Sequence, residues 1–222
     1  VASEGDALAQ AVAASRSTGV PVHARMLNLT TLFAPAATRT ALRQQGRLMV
    51  GADGSPRDWL CPTDPRNIRC QIEAACEMAR YGVAGVQFDY LRYPSADTCF
   101  CARCRTKFER DLGVKVARWP QQVTQGEYRG RFADWRRQQI TNLVRSLSHA
   151  LRREAPGLLI SAAVFLNWQD HRETFGQDWK AWVDEGLLDF VCPMNYTTDN
   201  ARFTRYLERQ REWVGNRVPI IA

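Results

Sequence analysis

Apolar residues recur along this chain in two alternating manners. They fall three to four positions apart in the longer stretches and run continuously in the shorter ones, a pattern that predicts helices and buried strands in turn. Leu8, Ala11, Val12 and Ala14 fit a helix over Ser3–Thr18, with Ser3 as its N-cap and Gly19 as its stop. Val20–Leu29 reads as a partly alternating strand, with His23 and Arg25 on one parity and Asn28 near its carboxyl end. Thr30–Gly46 predicts a polar connection with a short helix, Arg47–Val50 a short strand, and Ala52–Ser55 a turn. After Trp59–Pro62, Pro65 and the apolar positions Ile68, Ile72, Ala75, Cys76 and Ala79 mark a helix to Tyr81. That helix leads into a buried strand, Gly85–Asp89.

The second half repeats the alternation. A loop over Ser95–Cys104 precedes a helix over Arg103–Leu112, and Trp119–Gly130 is irregular. Trp135, Leu143, Val144, Leu147 and Leu151 form the apolar stripe of a long helix, Arg131–Glu154, ended by Pro156-Gly157. Leu158–Phe165 is an unbroken apolar run, as expected of a strand covered on both faces. Trp168–Gln177 is read as a loop, Asp178–Gly186 as a short helix, Leu188–Tyr196 as a strand, Ala201–Val214 as a helix and Val218–Ala222 as the start of another strand. Alternation without a hairpin run predicts right-handed βαβ units and a parallel sheet. An eight-fold (β/α) barrel takes about 250 residues, so these 222 residues are expected to form a single α/β barrel domain lacking its first strand and last unit.

Composition changes this picture little. With 45% hydrophobic and 24% charged residues the chain is an ordinary globular sequence, and no run of about 18 apolar residues offers a membrane span. The net charge of +7 comes from arginines scattered over Arg105–Arg110, Arg129–Arg137 and Arg202–Arg217. No nucleic-acid-binding signature accompanies them, so they are read as solvated helix faces and nucleic acid is not an expected partner. The opening Val1-Ala2-Ser3-Glu4 lacks an initiator Met, as expected of a mature protein or an excised piece.

Ligands of parallel α/β folds sit beyond the carboxyl ends of the strands. The predicted ends supply Asn28, Asp89 with Arg92 and Tyr93, Asn167 with Trp168, and Asn195 with Tyr196. A carboxylate, amides that bond hydroxyls and flat rings that stack on sugars suit a carbohydrate site, with His23 as a further candidate. Each has a structural alternative: a cap or an Arg92 ion pair for Asp89, loop packing for Trp168, backbone bonding for Asn195 and core packing for His23.

Gly85-Val86-Gln87-Phe88-Asp89-Tyr90-Leu91-Arg92-Tyr93-Pro94 resembles the strand motif of the bacterial glycosyl-hydrolase-like family-10 group, whose usual form ends in Phe-Asp-Asp-Tyr-x-Tyr-Pro. Trp59–Pro62 with Asp64-Pro65, Gln177–Trp182 with Asp189–Tyr196, and Val22–Ala24 resemble further segments of that family. The resemblance implies a TIM barrel acting on bacterial cell-wall or other polysaccharide glycans, without a catalytic cofactor, in a bacterial exported or cell-envelope protein. One departure stands out: Tyr90 occupies the place of the motif's second Asp. Glycoside hydrolysis normally uses two carboxyl groups, about 5–5.5 Å apart for retention and about 6.5–9.5 Å for inversion. Asp89 is the first, Asp199 and Asp170 are the candidates for the second, and Arg92 is expected to keep Asp89 ionised. Asp178 is read as a helix cap, and Asp189 as lying at the wrong end of its strand.

The seven cysteines are an odd number, so not all of them can pair within the chain. Cys99, Cys101 and Cys104 lie close together and, with Cys61, could supply four thiolates to a structural zinc; free thiols or a local disulfide are the alternatives. Cys70, Cys76 and Cys192 are read as small core residues.

Overall fold

A computed structural model describes residues 5–222. In chain order the elements are α1 (Ala7–Thr18), β1 (His23–Leu27), α2 (Ala36–Gln44), β2 (Leu48–Val50), β3 (Pro56–Leu60), α3 (Pro65–Arg80), β4 (Gly85–Asp89) and α4 (Ala102–Leu112). They continue with α5 (Gln121–Thr124), α6 (Arg129–Glu154), β5 (Leu159–Val164), α7 (Trp168–Phe175), α8 (Trp179–Asp184), β6 (Phe190–Pro193) and α9 (Asn200–Val214).

Four strands form one parallel sheet in the order β1-β4-β5-β6, and Ile220 bridges in parallel to Val191 at its edge. The connections run through helices, as parallel pairing requires. Register places His23 level with Gly85, Arg25 with Gln87, and Leu27 with Asp89. Level residues point the same way, so His23, Arg25, Leu27, Gly85, Gln87 and Asp89 share the inner face of the arc. The opposite parity, Ala24, Met26, Val86, Phe88, Ile160, Ala162, Val164 and Val191, is buried on the other side. There α3 packs on β4 and against the 26-residue α6. Full burial of a side chain such as Phe88 contributes about 1.5–3 kcal/mol, so this layer anchors the strand that ends on Asp89. Among the described residues the inner face stays partly open, with Leu27 and Leu159 exposed on it.

Gly85 is dictated by that face. A Cβ there would stand 2.3 Å from His23 Nδ1 and 2.7 Å from the Leu159 carbonyl oxygen. Its absence lets the imidazole cross β4 and meet the Phe190 ring edge-on at 5.7 Å.

Local signals set most boundaries. Asp64 caps α3 by accepting from Arg66 N at 2.9 Å, and Pro65 opens the helix. Asp6 caps α1, accepting from Leu8 N and Ala9 N at 3.1 Å; the expected cap Ser3 lies outside the described residues. Two expectations are corrected. First, β2 and β3 pair antiparallel as a hairpin apart from the parallel sheet, so Asp89 ends the fourth strand in chain order but the second strand of the arc. Second, Trp168–Phe175 is a helix and not a loop, because Asn167 accepts from Gln169 N and Asp170 N and Gly176 closes it at φ +66°. Cys70 is exposed and so is not a core residue. No helix among the described residues is long and apolar enough to cross a membrane.

Candidate active site

Asp89 ends β4 on the inner face and is 6% exposed. Its Oδ1 accepts from Tyr90 N at 2.7 Å. Its Oδ2 accepts from Arg25 Nε at 2.9 Å and from the same guanidinium's Nη2. Arg25 reaches it from the neighbouring strand, and 59% of the Arg25 side chain stays exposed. The hydrogen bond to Asp89 raises the Arg25 pKa above its ordinary value. The carboxylate is thus held as an acceptor under an arginine that faces the open side. Arg25 was not among the expected site residues, although its shared parity with His23 put it on this face.

Just past Asp89 the chain reverses. Tyr90 has φ +55°, a left-handed conformation that costs a non-glycine residue roughly 1–2 kcal/mol. Arg92 N donates to Tyr90 O at 2.9 Å and closes the turn. The Arg92 guanidinium then lies 5.0 Å from the Trp59 ring, 5.1 Å from Tyr90, 4.9 Å from Phe165 and 5.7 Å from Phe175. Burial pushes the Arg92 pKa down. Arg92 makes no ion pair with Asp89 and acts on it only through space, while the direct partner of the carboxylate is Arg25.

The other expected residues separate into two groups. Tyr196, 86% exposed, follows the carboxyl end of β6, the same end of the sheet at which Asp89 lies. Asn28 adjoins Asp89, its N–H donating to Asp89 O at 2.8 Å and its side-chain amide to Gln71 at 2.9 Å. The buried Asn28 Oδ1 has no hydrogen-bond partner among the described residues. Asn195 is buried too, in a reciprocal amide pair with Gln210 at 3.0 and 2.7 Å.

Three residues expected to bind substrate are placed elsewhere. Tyr93 is fully buried, stacked under the Arg136 guanidinium at 4.3 Å, and is a core residue. His23 is at the amino end of β1, about 13 Å from its carboxyl end at about 3.3 Å per residue. Trp168 turns its indole toward α8 and α9, donating to Asp178 Oδ1 at 2.5 Å and meeting Trp213 at 5.8 Å.

Both candidate second carboxylates have local work. Asp199 caps α9, accepting from Arg202 N at 3.0 Å, and that bond holds its pKa below the usual range. Asp170 accepts from Asn167 Nδ2 at 2.5 Å in the first turn of α7. Asp178 makes no capping bond and instead receives the Trp168 indole N–H. Asp189 lies at the amino end of β6, as expected, accepting from Ile160 N at 2.7 Å. Among the described residues no second carboxylate shares a hydrogen-bonding partner with Asp89 or Arg25.

An aromatic rim that sequence reasoning missed completes the mouth. Tyr90 meets Trp59 at 5.6 Å and the exposed Phe33 at 6.3 Å. Beside it opens a cavity of about 400 Å³ lined by Leu32, Pro56, Trp59 and Pro94 together with Arg57 and Asp58. A larger cavity of about 650 Å³, between α9 and residues 214–222, has no carboxylate in its lining. The four cysteines Cys61, Cys99, Cys101 and Cys104 do converge, all sulfurs within 4.8 Å of one another, and none is in a disulfide.

The sequence pattern of the glycosyl hydrolase-like 10 family matches residues 19–221. The chain belongs to this family. It is 25% identical over 212 residues to the glycosyl hydrolase DigH of Escherichia coli K12, covering 85% of this chain and 42% of that protein. The chain therefore spans less than half the length of the curated relatives it matches. Among solved structures, the PgaB (BpsB) glycoside hydrolase domain of Bordetella bronchiseptica superposes with a TM-score of 0.67 at 14% identity, over 91% of this chain and 59% of that one. Gan42B, a GH42 β-galactosidase from G. stearothermophilus, gives 0.65 at 14% identity, over 92% of this chain and 35% of that one. The parallel arc with its outer helices is thus part of a TIM-barrel fold. Within the family motif, the Tyr90 departure has a structural setting. The position is left-handed, a conformation Asp adopts several-fold more readily than Tyr, and here the Tyr90 ring is turned into the aromatic rim.

Proposed function

We propose that this member of the glycosyl hydrolase-like 10 family hydrolyses O-glycosidic bonds in a polysaccharide, a bacterial cell-wall glycan first among them, with Asp89 at the reacting centre. The observation that carries the reading is the placement of Asp89. A carboxylate ends a barrel strand on the inner face, fixed by Arg25 and the Tyr90 N–H and rimmed by Phe33, Trp59, Tyr90 and Tyr196. Both of its oxygens accept hydrogen bonds, which suits a nucleophile, base or charge stabiliser better than a proton donor. Of these rings Phe33 and Tyr196 are exposed and free to stack on sugar faces, and Arg25 is placed to bond hydroxyls. The names of the relatives, glycosyl and glycoside hydrolases, support glycans as the substrate class. Asp199 and Asp170 are the second carboxylates this chain offers, Asp199 by giving up its cap of α9 and Asp170 by giving up its bond from Asn167.

A second reading, a barrel that binds glycans without cleaving them, is favoured by those same local bonds and by Tyr90 in place of the motif's second Asp. One experiment separates the two. Reducing ends released from purified peptidoglycan and a panel of polysaccharides are measured for the wild type and Asp89→Asn, alongside glycan binding. Hydrolysis that falls by about 10²-fold or more in the variant, with binding retained, supports the first reading. Binding without turnover in both proteins supports the second, and turnover unchanged in the variant removes Asp89 from the chemistry.

A further inference from the structure

We infer that Cys61, Cys99, Cys101 and Cys104 bind one structural zinc ion that fastens the hairpin β2–β3 to the loop following Asp89. The inference is independent of the hydrolytic reading. Two separate segments deliver the ligands: Cys61 directly follows β3, while Cys99, Cys101 and Cys104 lie on the loop and first turn of α4. Four sulfurs about 2.3 Å from a central zinc stand about 3.8 Å apart on the edges of a tetrahedron. Cys61 Sγ lies 3.7 Å from Cys104, 3.8 Å from Cys101 and 3.9 Å from Cys99. These separations match the tetrahedron and are far from the roughly 2.05 Å of a disulfide.

Thiols that merely fill space could also touch at such distances, so the surroundings decide between packing and ligation. Polar groups surround the sulfurs, two backbone N–H donors and one hydroxyl that can donate to one sulfur at a time. Thr63 Oγ1 stands 3.1 Å from Cys61 Sγ and 3.4 Å from Cys104 Sγ, Val50 N donates to Cys99 Sγ at 3.4 Å, and Cys104 N donates to Cys101 Sγ at 3.4 Å. Donors aimed at sulfur stabilise thiolates and are what outer-shell partners of a metal site supply.

Charge points the same way. Arg136 is buried on α6 with no carboxylate partner among the described residues; it donates to Ser95 O at 2.7 Å and stacks on Tyr93. A zinc ion with four thiolates carries a net charge of −2, and a buried, otherwise uncompensated guanidinium fits beside it. Thiolate softness and tetrahedral geometry select zinc, and a site with four protein ligands keeps no open position for chemistry. Its effect is mechanical: Trp59, two residues before Cys61, is held against Tyr90 and Arg92 at the mouth.

The test is metal analysis of the full chain, purified without a metal-affinity column and without chelator. The expected result is about one zinc per chain, with X-ray absorption showing four sulfur neighbours at about 2.3 Å. Titration with a mercurial should release that zinc to a chromogenic chelator as the thiols are blocked. The same release should lower the melting temperature and shift tryptophan fluorescence. Cys101→Ser, which alters the least buried of the four ligands, should weaken zinc retention in competition with a chelator. Less than about one zinc per two chains, a disulfide among the four in a non-reduced digest, or the visible charge-transfer bands of iron would each overturn the assignment. The wild-type measurements stand even if the variant does not fold.

Discussion

Removing the Asp89 carboxylate in two steps separates what holds it from what it does. Asp89→Asn keeps an oxygen that can accept from Tyr90 N and loses only the ion pair with Arg25. That pair is largely solvated on the Arg25 side, so its loss is worth about 1 kcal/mol or less. Asp89→Ala also strands the Tyr90 N–H, and an unsatisfied buried donor costs about 1–3 kcal/mol. For a domain of this size about 1 kcal/mol corresponds to about 2–4 °C in Tm. The expected order is therefore a fall of at most about 4 °C for Asp89→Asn and, for a total of about 2 kcal/mol, about 4–8 °C for Asp89→Ala. Arg25→Ala belongs with the larger change, because it leaves a buried carboxylate with a single donor. In the double variant Asp89→Asn/Arg25→Ala, the second substitution should cost far less than it does alone. Thermal unfolding followed by circular dichroism, with guanidinium titrations for free energies, measures all four. An Asp89→Ala protein as stable as Asp89→Asn, or more stable, would refute the assignment of Tyr90 N to Oδ1 and the account of how the site is held.

Three further outcomes follow from the packing. Gly85→Ala should cost about 1–3 kcal/mol, and adding His23→Ala should restore only part of it, because the Leu159 carbonyl still stands 2.7 Å from the new Cβ; complete restoration in denaturation curves would contradict this. Tyr93→Phe should leave glycan affinity unchanged, since Tyr93 is core, whereas Tyr196→Ala should leave stability within about 0.5 kcal/mol and weaken glycan binding several-fold in a pull-down on insoluble glycan. Burial alone would raise the Asp64 carboxyl's pKa, but its hydrogen bonds from Arg66 and the charge of Arg103 outweigh that and hold it below the ordinary value. A depressed folded pKa gives stability that is full above the unfolded value of about 3.9 and is lost as pH falls through the folded one. Wild type should thus lose more stability between pH 6 and pH 3 than Asp64→Asn does, and equal losses in guanidinium titrations would count against the linkage.

The elements that sequence patterns revealed are those whose local chemistry is complete in itself. The apolar stripe of α6, the Asp64-Pro65 start of α3 and the unbroken run of β5 each carry their own signal. Of the hairpin β2–β3, the first strand and the turn after it were legible, but β3 was hidden because Pro56 and Arg57 do not read as strand and its five residues are too few for alternation to show. Helix α7 did carry a cap at Asn167 and a glycine stop at Gly176, but its apolar residues are too few to give a period. Burial deceived in the other direction. Tyr93 follows the motif carboxylate by four residues, yet the left-handed turn at Tyr90 sends the chain back into the core, where its ring meets Gly176 and Arg136.

The same turn explains why the arginine nearest in sequence is not the one that serves Asp89. Arg92 follows the reversal, and its guanidinium is captured by four aromatic rings before it can face the carboxylate. Arg25 lies 64 positions away in the chain, but the parallel register sets it one inner-face step behind Leu27, the residue level with Asp89. A step of two residues is about 6.6 Å along a strand, a span the Arg25 side chain covers to place Nε and Nη2 on Oδ2. Parity was readable from sequence, while the register that makes β1 and β4 neighbours was not, since the segments between them read as part of the same alternation. The partner of a strand-end carboxylate in such a fold is therefore better sought on the inner parity of the adjoining strand than among the residues that follow it.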